Sequence, residues 1–74
     1  MVVPVKSLVA LLDRELGYVA DAKAHHECSE DEYNAYMEHM EKRSMAQLTE
    51  LRRISSNKAL ISKYEILVAN TYGA

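Results

Sequence analysis

From Ser29 to Ile54 the chain reads SEDEYNAYMEHMEKRSMAQLTELRRI, without a Gly or Pro, and no other stretch limits the fold so tightly. Its residues are mostly good helix formers. Tyr33, Met37, Met40, Leu48 and Leu51 recur at three- and four-residue steps, with Ser44 at the intervening step and Tyr36 and Ile54 beside the stripe. That period belongs to a helix with one apolar face. Ser29, followed three residues on by Glu32, has the spacing of a capping box. Glu30, Asp31 and Glu32 also place negative charge at the positive end of the helix dipole. On the opposite face Glu38 and Lys42 stand four apart in the favourable order. The spacing predicts a helix over 29–54.

The flanks read as material packed against this helix. Val5, Leu8, Val9, Leu12, Leu16 and Val19 form an apolar stripe, with Leu11 and Tyr18 beside it, which predicts a first helix over about 5–25. Pro4 suits its first turn. Gly17 lies mid-helix and marks either a close helix approach or a bend. His25 to Cys28 is a short connection, which predicts antiparallel neighbours. Ser55, Ser56 and Asn57 are weak helix formers, so the central helix is expected to stop there, with Ser55 or Ser56 capping a third helix. Leu60, Ile61, Tyr64, Leu67 and Val68 give that helix its stripe over about 57–70, and 70–74 are expected to fray. The fold class is therefore all-α: an antiparallel helical hairpin plus a third helix, closing as a three-helix bundle or pairing into a dimeric bundle, in one small domain over 1–74.

With 74 residues and no Trp or Phe, the core must come from Leu, Val, Ile, Met and Tyr. A domain of this size buries a small share of its surface, which favours a homo-oligomer, a dimer first, or a partner protein. The lone Cys28 excludes an intrachain disulfide and suits a reducing compartment. Asp13, Arg14 and Glu15 interrupt the apolar N-terminal run. No segment nears the roughly 18 apolar residues of a membrane span. The expectation is a soluble, cytoplasmic protein that does not engage a membrane.

The net charge of −2 conceals an asymmetry: residues 1–41 hold nine acids and three bases, residues 42–74 six bases and two acids. Such a split can orient a partner or favour antiparallel self-association. It argues against direct nucleic-acid binding, because the third helix offers only Lys58 and Lys63, offset by Glu65.

His25, His26, Cys28 and His39 carry metal-ligand chemistry, but the paired spacings of zinc sites are absent. The Glu-x-x-His pattern of di-metal bundles also fails, since the residues three after Glu32 and Glu38 are Ala35 and Glu41. Cys28 has no nucleophile motif around it. No catalytic residue, metal ligand or cofactor is assigned, and an enzymatic or metal-binding role ranks last. The expected function is a non-enzymatic protein–protein interaction module, a small adaptor or regulator. Its candidate partner-binding residues are Tyr33, Tyr36, Met37 and Met40 on the stripe and Glu30, Asp31, Glu38 and Glu41 on the charged rim. The alternative is a small acidic inhibitor, of the kind viruses make, whose carboxylates imitate phosphate on a nucleic-acid-processing protein such as a restriction or CRISPR enzyme.

Overall fold

Every helix terminus exposes free backbone groups, and side-chain caps satisfy some of them at two of the three helix starts, at Ser29 and Asn57. The computed structural model describes residues 4–25 and 27–73 and holds three helices: α1 (Val5–His25), α2 (Glu30–Ile54) and α3 (Lys58–Tyr72). Residues 1–3, His26 and Ala74 lie outside the described residues. At the start of α1 the Pro4 carbonyl accepts from the Ser7 and Leu8 N–H groups, both at 3.1 Å. At the start of α2 the Ser29 hydroxyl accepts from the Glu32 N–H at 3.2 Å, which is one of the two bonds of the expected box.

The break after Ile54 is present, but its chemistry differs from the expectation. Asn57, not Ser55 or Ser56, caps α3, its Oδ1 accepting from the Leu60 N–H at 3.1 Å. Ser55 instead closes α2, donating its N–H to the Leu51 carbonyl at 2.9 Å. Its hydroxyl then accepts from the Asn57 N–H at 3.1 Å. Asn caps at least as well as Ser, and Ser55 is already committed to the preceding helix.

The third helix also runs two residues past the expected end at Asn70, to Tyr72. Long-range contacts hold that last turn: the Tyr72 hydroxyl lies 2.9 Å from Ser44 Oγ on α2, and Lys23 on α1 donates to the Thr71 carbonyl. The Gly73 N–H closes the helix on the Ala69 carbonyl at 2.7 Å, and a Cβ at Gly73 would overlap that oxygen.

The cross-helix bonds fix the topology. Ser44 meets Tyr72 and Arg52 meets Glu65, so α2 and α3 are antiparallel. Asp13 meets Tyr64 and Lys23 meets Thr71, so α3 runs parallel to α1. All three helix pairs touch. The bundle measures 40 × 25 × 15 Å, and α2, at about 37 Å for its length, spans the long dimension.

The core lies at one end. Leu8 and Leu12 of α1, Leu48 and Leu51 of α2, and Tyr64 and Val68 of α3 form a single buried cluster. Val5, Val9, Leu16, Ile54, Leu60, Ile61 and Tyr72 pack around it. Val19 and Met40 are buried outside that cluster, nearer the α1–α2 connection. Glu15 is buried on the same face as Leu8, Leu12 and Val19. Its carboxylate takes Arg43 Nε at 2.7 Å on Oε1 and Gln47 Nε2 at 2.5 Å on Oε2.

Gly17 marks no close approach, because a Cβ there meets nothing within 4 Å. It sits exposed in an unbroken helix, so its backbone freedom is a net loss. Gly17→Ala should stabilise the fold by up to about 1 kcal/mol. A thermal scan should show the midpoint rising by about 4–8 °C per kcal/mol.

Candidate functional site

Helix α2 has two environments along its length. Its C-terminal half lies between α1 and α3. Its first turns lie beyond the end of α3, which closes at Tyr72 and Gly73 against Glu41, Ser44 and Met45. From Glu41 back to Glu30 is about 16 Å of helix, which meets α3 at that helix's C-terminal end, Tyr72 and Gly73 beside Glu41 and Tyr72 near Tyr36. This projecting hairpin end carries the candidate residues.

Tyr33, Tyr36 and Met37 are half-buried there. Met40, four residues from Tyr36, is 6% exposed and belongs to the interior. Tyr36 is close enough to Tyr72 to act on its ionisation. Burial above all raises the Tyr72 hydroxyl above the usual tyrosine value; the bond to Ser44 pulls the other way, and Glu15, Glu41 and Tyr36 add to the rise. The tip and the end of α3 therefore meet at Tyr72.

The rim is acidic. Glu27, Glu30, Asp31 and Glu32 are exposed, and no ion pair reaches them among the described residues. Glu38 is also exposed but pairs with Lys42 at 3.2 Å, within the same helix. The basic groups gather at the other end, where Arg52 pairs with Glu65 at 3.1 Å and Arg53 with Glu50.

Glu41 is set apart from the other candidates. It lines a groove of about 260 Å³ between α2 and α3 with Met45, Leu48, Arg52, Val68 and Tyr72. Met45 is 45% exposed at its edge. The stripe-based reading passed over Met45, which stands beside the apolar face and not on it. The available signal was the run Glu41, Met45, Leu48, Arg52, itself at four-, three- and four-residue steps.

Among the described residues no group of three or more His, Cys, Asp or Glu side chains gathers as a metal site, and His26 lies outside them. Cys28 is exposed. No described helix is long and apolar enough to cross a membrane. No family model, curated protein or solved structure matches this chain.

Proposed function

We propose that this chain is a non-enzymatic protein-binding module, a small adaptor or regulator, that docks a partner protein on the projecting end of its α1–α2 hairpin. The observation that carries the reading is the placement of Tyr33, Tyr36 and Met37, half-buried on turns of α2 at and past the C-terminal end of α3. Tyrosine and methionine are enriched in interface cores, and methionine adapts to irregular partner surfaces. The acidic rim favours a partner whose apolar anchors are flanked by Lys or Arg. The same asymmetry of charge supports self-association, with a dimer the simplest form.

A mutation separates this surface from the core. Met37→Asp puts a charge on the half-buried face without touching the buried cluster. Intact chain and Met37→Asp, matched for helicity, are used as baits in an extract of the source cell. A partner held by the first should be lost from the second, with binding weakened about 10-fold or more, the scale of a truncated hot spot. Equal recovery on both baits contradicts the reading.

Four exposed acids at the tip, Glu27, Glu30, Asp31 and Glu32, keep a second reading in place, that of an acidic inhibitor of a nucleic-acid-processing protein. Dipole complementation at the start of α2 accounts for three of them without any partner. Reversing Glu30 and Asp31 to Lys separates the cases: an inhibitor loses its effect and its salt-sensitive binding, whereas docking led by Met37 persists.

A further inference from the structure

We propose that two copies of this chain pair along one edge of α2, antiparallel, with Met45 of each copy seated in the α2/α3 groove of the other. The proposal rests on the self-association named above and not on docking at the tip. Glu41, Met45, Leu48 and Arg52 line one side of the groove, at four-, three- and four-residue steps. Those steps make a straight row on a helix and are the d-a-d-a spacing of a coiled-coil seam.

Read in one direction the row is acid, apolar, apolar, base; turned end over end it is base, apolar, apolar, acid. An antiparallel second copy therefore meets it in one self-complementary register. Glu41 faces Arg52 of the second copy, Met45 faces Leu48, and a two-fold axis repeats both contacts. A two-fold interface has to be complementary to itself in this way. Packed helices lie about 8–10 Å apart, within reach of these side chains.

The local structure suits each role. Met45 is 45% exposed, a flexible apolar side chain at the lip of an apolar groove. Leu48 is 2% exposed and forms the floor on which the methionine of the second copy lands, beside Val68. Arg52 uses Nη2 toward Glu65 and is still 44% exposed, so its other donors can take a second carboxylate. The charge of α2 agrees: acids Glu30, Asp31 and Glu32 stand in its first turn and Arg52 and Arg53 in its last, an order that favours antiparallel pairing.

Sedimentation equilibrium on the full chain tests the pairing by charge exchange. Wild type should reach twice the 8.4 kDa chain mass as concentration rises. Glu41→Arg alone and Arg52→Glu alone should each weaken association by about tenfold or more, because the charged contact of the seam becomes a like-charge contact on both sides of the axis. Mixing the two variants should restore the dimer mass, since the arginine introduced at 41 meets the glutamate introduced at 52, and native Arg52 meets native Glu41. That rescue cannot come from within one chain, where Arg52→Glu leaves Glu65 without its partner. Circular dichroism confirms that each variant is folded before mixing, and Met45→Lys serves as a variant that keeps both seam charges and should also dissociate the dimer. A wild-type mass of 8.4 kDa at every concentration overturns the proposal, as does a dimer indifferent to the reversals or a mixture that stays monomeric.

Discussion

Tyr64→Ala should take this fold to the edge of unfolding. Tyr64 is 1% exposed and is the largest fully buried side chain of the bundle, with Leu12 and Leu51 among the other fully buried ones. Truncating a buried aromatic costs about 3–5 kcal/mol, against a total of about 4–11 kcal/mol for a domain of this length. Urea titration should show the variant largely unfolded or with a sharply lowered midpoint. Tyr64→Phe keeps the ring and loses only the bond from the hydroxyl to Asp13 Oδ1, at 2.7 Å. It should cost about 1 kcal/mol.

The same hydroxyl gives the fold an alkaline limit. Burial first, then the bond to Asp13 and its charge, push Tyr64 up to about 12. The unfolded chain releases this proton near the ordinary value of about 10. Above that pH the folded state holds more protons than the unfolded one, so stability falls as pH rises from about 10 to 12 and is unaffected below. Tyr72 is shifted in the same direction. Tyr64→Phe should therefore shrink the alkaline loss without abolishing it.

Arg43→Ala should cost more than the removal of the acid it serves. The Glu15 side chain is 6% exposed, and its carboxylate is held by Arg43 and Gln47. Taking away one partner of a buried pair leaves an unpaired buried charge, at about 3–5 kcal/mol when both groups are enclosed. The Arg43 side chain is 48% exposed, so water reaches the site and the expected cost is nearer about 2 kcal/mol. Glu15→Met fills the same space without a charge and should stay within about 1 kcal/mol of wild type, even with the Gln47 amide released. Chemical denaturation of the two variants reads the difference directly. Equal losses would mean that Glu15 is solvated in solution and that the α1–α2 contact is looser than the Glu15–Arg43 bond of 2.7 Å implies.

Much of this architecture is legible in the residues. The capping Ser29, the uninterrupted α2 pattern, the weak cluster at 55–57 and the stripes of α1 and α3 lead to three helices in an antiparallel order. What escaped the reading was tertiary. Helix α3 continues past Asn70 because Tyr72 finds Ser44, a residue on another helix. Glu15 falls on the buried stripe, between Leu12 and Val19, but a lone carboxylate there gives no sign of its partners until α2 is laid alongside. For the candidate site, the Tyr33–Met37 face could be named from spacing alone. That Met40 turns inward, and that Glu41 joins Met45 in a groove with the end of α3, depends on tertiary packing.

The docking role rests on α2 being one helix with two surroundings, enclosed between α1 and α3 at its C-terminal half and reached at its tip only by the last turn of α3. Native-state hydrogen exchange of the free chain, read amide by amide, tests that division most directly. Local opening follows local packing. The amides of 33–38 should therefore exchange through openings of clearly lower free energy than those of 44–51 and 61–68, which should approach the global stability. Protection at 33–38 equal to that at 44–51 would contradict the account, since the tip would then be packed as tightly as the core and would present no uncovered face to a partner.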